Sequence, residues 1–171
     1  DWPLLQKIIA TQKPVIASTG GLNLVQIDNL VSFLSRRDNN FAILHCVGIY
    51  PSPNETLNLN FLKRLIRRYP SVPIGYSGHE TPDNTDVIKI AIALGAGIFE
   101  RHVGVPTDTI TLNQYSMNPE EVEKWVQASI TAKEILGSGE KVISKDEAAS
   151  LLSLKRGVYA KEKIKTGESI T

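Results

Sequence analysis

The chain has 171 residues, with 19 Lys plus Arg against 18 Asp plus Glu, a formal net charge of +1, and 42% apolar residues. That length suits one domain, and the apolar share supports a packed core rather than disorder. The balanced charge makes no electrostatic case for nucleic acid or an anionic membrane, and no run approaches the ~18 apolar residues of a spanning helix.

The chain opens on Asp1-Trp2-Pro3-Leu4, without a basic or signal-like start. Leu4 to Ile9 has helical apolar spacing, and Pro14 to Thr19 reads as a strand that stops at Gly20-Gly21. Val25 to Leu34 is the next helix, with Ile27, Leu30, Val31 and Leu34 on one face. Phe41 to Val47 is a second strand, leading into the turn-rich Tyr50-Pro51-Ser52-Pro53-Asn54. Its Cys46 is the only cysteine, which excludes an internal disulfide; in an apolar strand it reads as a small hydrophobe in a reducing cytoplasm. His45, in parity with Ile43 and Val47, reads as a core histidine. Leu59 to Tyr69 is helical, with Lys63, Arg64, Arg67 and Arg68 on a solvated face.

Val72 to Ser77 is the third strand, Asp86 to Leu94 a helix closed by Gly95-Ala96-Gly97, and Gly97 to Val103 the fourth strand. A polar loop, Gly104 to Tyr115, precedes a long helix. Asn118 suits its N-cap, Pro119 its first position and Glu121 a capping box, and Val122, Trp125, Val126 and Ile130 form its apolar stripe. After Gly137 the pattern changes. Residues 138–155 read as a linker with a short helix over Glu147 to Leu154, and residues 156–171 as strand pieces opening a small β domain.

Strands begin near Pro14, Phe41, Val72 and Gly97, which fits the roughly 30 residues per unit of a (β/α)8 barrel. Continuously apolar runs predict a parallel sheet covered by helices. Four units make half a barrel; a self-contained, flavodoxin-like open sheet is the alternative.

His79 and His102 each follow a strand, where α/β barrels carry their catalytic groups. Imidazole serves as metal ligand or acid/base group, and two converging at one sheet end can hold a Lewis-acid metal. Alternation puts Glu100 and His102 on one face, with Phe99 and Arg101 on the other, and gives Ser77 and His79 one parity. Ser18-Thr19-Gly20-Gly21, before a helix, suits phosphate, and Tyr50 lies where the chain leaves the sheet.

Five segments resemble the sialic acid synthase family, the phosphoenolpyruvate-condensing N-acylneuraminate synthases. They are Lys13 to Gly20; Leu44-His45-Cys46 through Ile49-Tyr50-Pro51-Ser52-Pro53; Ile74-Gly75-Tyr76-Ser77-Gly78-His79; Ala93-Leu94-Gly95-Ala96 with Phe99-Glu100-Arg101-His102; and Ser116 to Glu121. The resemblance implies an α/β fold: the C-terminal half of a (β/α)8 TIM-type barrel over residues 1–137, a linker over 138–155, and the start of an antifreeze-like (SAF) domain over 156–171.

It further implies His79 and His102 as ligands of a divalent metal, usually manganese. Ser18, Ser77 and Lys155 would bind phosphoenolpyruvate, Tyr50 the acylated amino sugar, and Glu100 would be the catalytic carboxylate. The chain departs from the family at Gly48, where many members carry a polar residue, and at Gly78, where most carry aspartate. The loop Gly104 to Tyr115 lacks the usual Gly-Pro-Asp run and offers Asp108, Thr109, Thr111 and Asn113.

The implied reaction condenses phosphoenolpyruvate with an N-acetylmannosamine-like aldehyde to a nonulosonic acid and phosphate, in a cytoplasmic enzyme that is a homodimer in its full-length form. Another metal-dependent sugar aldolase, and a non-catalytic sugar- or partner-binding fragment, are the alternatives. A half-barrel on its own is expected to be inactive.

Overall fold

The computed structural model describes residues 1–37 and 39–169. The elements run α1 (Trp2–Ala10), β1 (Val15–Ser18), α2 (Leu24–Ser35), β2 (Phe41–Cys46), a 3-10 turn (Asn54–Thr56), α3 (Asn60–Arg68), β3 (Ile74–Gly78), α4 (Asp86–Ala93), β4 (Ile98–Arg101), α5 (Pro119–Leu136) and α6 (Lys145–Leu154). Local chemistry sets several helix starts. Asn23 caps α2 in a capping box with Gln26, and Asn118 caps α5 in one with Glu121, the second as the sequence predicts.

The four strands form one parallel sheet in the order β1-β2-β3-β4. Strand order that never reverses lacks the switch point of a doubly wound sheet, and the sheet curls as part of a TIM-type barrel does. Paired residues share a face. Ile43, Ile74 and Tyr76 face the helices and pack with Ile27 of α2, Leu62 and Leu65 of α3, and Val87 and Ala91 of α4. Each fully buried Leu or Ile here contributes about 1.5–3 kcal/mol. His45 lies on this face too. Its Nε2 donates to the Leu57 carbonyl at 2.8 Å and its ring packs on Phe61 and Tyr76, as a core histidine.

The opposite face carries one row of Ser18, Leu44, Gly75 and Ile98, and a next row of Cys46, Ser77 and Glu100. Glycine is required at position 75. A Cβ there would lie 2.2 Å from the Ile98 carbonyl oxygen and 2.4 Å from Leu44 Cδ2.

Two sequence expectations are corrected. In α5 the buried line is Ala128 and Ala132, packed with the half-buried Trp125 on Ile88 and Ile92 of α4, while Val126 and Ile130 are exposed. Small alanines let the two helices approach closely, so the burial stripe follows them rather than the larger aliphatics. Ser138 onward forms a second compact unit. In it α6 forms under a Ser144 cap, but residues 156–169 make no strand, contrary to the expected strand pieces. Val158 and Tyr159 are exposed there, and a strand pair without a buried apolar face is marginal in water. Ile170 and Thr171, the end of the expected second domain, lie outside the described residues.

Candidate active site at the strand ends

His79 and His102 follow β3 and β4 directly and converge, with ring centroids 5.1 Å apart. His79 is buried and His102 exposed. The Val47 carbonyl sits 3.0 Å from His79 Nδ1. A carbonyl only accepts, so Nδ1 carries the proton and Nε2 keeps its lone pair free, the tautomer a metal ligand needs. Cys46 Sγ lies 3.9 Å from the same nitrogen.

Two imidazoles with one tautomer already fixed fit a divalent metal that keeps open positions. Among the described residues no group of three or more His, Cys, Asp or Glu gathers in metal-binding fashion, so a metal held here would draw its protein nitrogens from these two histidines. Beneath them, Ser77 and Glu100 are direct cross-strand partners, and the Ser77 hydroxyl donates to the Glu100 carboxylate.

Tyr50 packs against His79 in a tilted arrangement, with 4.2 Å between ring centroids. Its loop is tied down by the Ser52 amide, which donates to the His79 carbonyl at 2.9 Å, and by the Ser52 hydroxyl on the Ile49 carbonyl. Tyr115 completes an aromatic cluster, 5.1 Å from both Tyr50 and His102. Sequence reading stopped at Tyr115 only as the end of a loop. What brings it in is the return of that loop, with Met117 N–H donating to the His102 carbonyl and Gly104 N–H to the Met117 carbonyl, 2.9 Å each.

Ser18 is exposed at the end of β1, on the same face as Ser77, one row below it and two strands away. The hydroxyl of Thr19 next to it is committed to the Leu44 carbonyl at 2.8 Å, so Thr19 ties β1 to β2 and leaves Ser18 as the free hydroxyl. Lys155 belongs to the second unit, exposed at the C-terminal end of α6.

Under the site, on the helix-facing side, the sequence reading missed a buried charged group. Arg101 pairs with Glu80 at 2.9 Å, and the Tyr76 hydroxyl donates to Glu80 at 3.0 Å. Burial, and then the Glu80 carboxylate, push the Tyr76 phenol far above its ordinary range and keep it a donor. The signal was present: an arginine with helix-facing parity in an apolar strand demands a buried partner.

A one-directional parallel sheet with polar side chains gathered at the C-terminal strand ends is the arrangement of a partial TIM-type barrel, whose active sites lie at that end. The chain belongs to the NeuB family, whose model matches residues 1–141. A solved structure from Chromobacterium violaceum ATCC 12472, assigned to spore coat polysaccharide biosynthesis as protein E, is 48% identical. It superposes with a TM-score of 0.83 over 92% of this chain and 47% of that one. N-acetylneuraminate-9-phosphate synthase of Mus musculus is 31% identical over 100% of this chain and 47% of its own length. N,N'-diacetyllegionaminic acid synthase of Campylobacter jejuni is 29% identical over 97% and 50%. The chain spans about half the length of the curated relatives it matches.

Proposed function

We propose that this chain forms the metal-holding part of a nonulosonic acid synthase, which joins phosphoenolpyruvate to the open-chain aldehyde of an N-acylated amino sugar. The observation that carries this reading is the convergence of His79 and His102 above the Ser77–Glu100 pair. Family membership and the names of the relatives support a sialic acid-type synthase. Those relatives act toward different sugars by name, so the acceptor is given as a class.

His79 and His102 would hold a divalent metal, manganese by family resemblance, which supplies Lewis-acid polarisation of the aldehyde oxygen. In the reaction the methylene carbon of phosphoenolpyruvate bonds to the aldehyde carbon, and the aldehyde oxygen takes a proton. Water adds at the phosphate-bearing carbon, the bond to phosphate breaks, and a ketone remains. Glu100 takes one proton of the adding water, which balances the one gained by the aldehyde oxygen, and the other leaves with the phosphate. Ser18 and Ser77 hold the phosphoenolpyruvate, and Tyr50 packs on the sugar. The enzyme works in the cytoplasm as a homodimer.

The test is phosphate release by the whole protein from phosphoenolpyruvate, an N-acylmannosamine and manganese. Release that requires all three is the expected result. Sugar turnover that ignores phosphoenolpyruvate would point instead to a metal-dependent aldolase and overturn the reading.

A further inference from the structure

Glu80 follows His79 and Arg101 precedes His102, so one buried ion pair joins the two chain segments that carry the site's imidazoles. The side chains of Arg101 and Glu80 are 3% and 2% exposed. A buried ion pair is a poor source of stability, because apolar side chains of similar volume often do as well. Its geometry here is specific. Arg101 Nη1 sits 2.9 Å from the Glu80 carboxylate as an ion pair without hydrogen-bond geometry, while Nη2 donates to the Glu80 backbone carbonyl at 2.7 Å. The guanidinium therefore grips the turn itself as well as the side chain. Gly78 makes room for the carboxylate, since a Cβ there would lie 2.6 and 2.9 Å from its two oxygens.

The backbone pairing of β3 with β4 ends at Gly78 and Arg101. Beyond it the main chain of each histidine is tied elsewhere, the His79 carbonyl to Ser52 and the His102 carbonyl to Met117. The Glu80–Arg101 contact takes over where the ladder stops. Arg101 and Tyr76 have the parity opposite to Ser77 and Glu100, so the group works from behind the site.

We propose that Glu80 and Arg101 are positioning residues that set the separation of the His79 and His102 rings, and through it the site's affinity for a divalent metal. This rests on the reading of the two histidines as metal ligands.

The experiment titrates manganese into the whole protein by calorimetry and follows thermal melting in parallel. The double variant Glu80→Gln/Arg101→Met removes both charges and leaves none buried alone. It should stay folded yet bind manganese roughly tenfold more weakly, the loss common for groups that orient metal ligands. Arg101→Lys keeps the charge but loses the two-pronged grip, and should also weaken binding. Tyr76→Phe leaves the ion pair in place and should retain wild-type affinity. A folded double variant, or a folded Arg101→Lys, that binds manganese as tightly as wild type overturns the proposal. Wild-type binding that survives His79→Ala and His102→Ala unchanged removes the metal-ligand reading, and the positioning role falls with it.

Discussion

The hydroxyl of Ser77 donates to the carboxylate of Glu100, its direct partner across the β3–β4 pairing. A serine has one proton to give, so this contact and a hydrogen bond to a phosphate compete for it. In the proposed reaction, phosphoenolpyruvate would draw the Ser77 hydroxyl to its phosphate and so release Glu100 to work on water. Ser77→Ala should weaken phosphoenolpyruvate binding about 10- to 150-fold, the equivalent of about 1.5–3 kcal/mol for a hydrogen bond to a charged group. Equilibrium binding of phosphoenolpyruvate checks this, and an unchanged affinity contradicts it.

Glu100→Gln separates the two roles. It removes a negative charge beside an anionic substrate, so KM for phosphoenolpyruvate should not rise. Loss of the proton acceptor should lower kcat by roughly 10²- to 10⁴-fold. Steady-state kinetics resolves the split; a raised KM with unchanged kcat would assign Glu100 to binding instead.

Replacing His79 or His102 by Ala should abolish manganese-dependent turnover in the whole protein and greatly weaken manganese binding. His79→Ala also frees the Val47 carbonyl, so its melting temperature should fall more than that of His102→Ala, whose exposed ring makes no such bond. Equal and undiminished activity in both variants would refute the assignment.

Gly75→Ala tests the packing of the inner face. The new Cβ meets a backbone carbonyl at 2.2 Å, which cannot swing away as a side-chain tip can. A loss of at least about 1–3 kcal/mol is expected in urea unfolding, as for other overpacked sites.

His45 makes the fold sensitive to mild acid. Burial holds its imidazole below the ordinary value of 6.5, against the smaller opposing effect of the Leu57 carbonyl. The unfolded chain therefore takes up the proton first as pH falls. Stability is full above about pH 6.5 and declines as the pH drops toward the folded value. Melting curves across that window should shift downward with acid. His45→Gln, which keeps a donor for Leu57, should remove this part of the shift.

The main elements were legible because periodicity is local. The apolar runs around Ile43, Ile74 and Ile98, and the capping chemistry of Asn118 and Glu121, can be read residue by residue. The parity of Glu100 and His102 against Phe99 and Arg101 was also legible, since alternation along a strand needs no knowledge of neighbours. Expectations failed where a neighbour decides. The stripe on α5 follows Ala128 and Ala132 because α4 lies against them, and residues 156–169 form no strand.

The sequence by itself determined the order and kind of the barrel elements, the strand-end positions of His79 and His102, and the family resemblance those positions carry. Only the tertiary structure decided which atoms meet. It set the tautomer of His79 through Val47, brought Tyr115 beside Tyr50, committed Thr19 to Leu44, and buried Glu80 against Arg101. The physical reason is range. Backbone preference and alternation act over a few residues, whereas hydrogen-bond partners and burial depend on segments twenty or more positions apart, which the strand-to-strand pairing of a parallel sheet brings together.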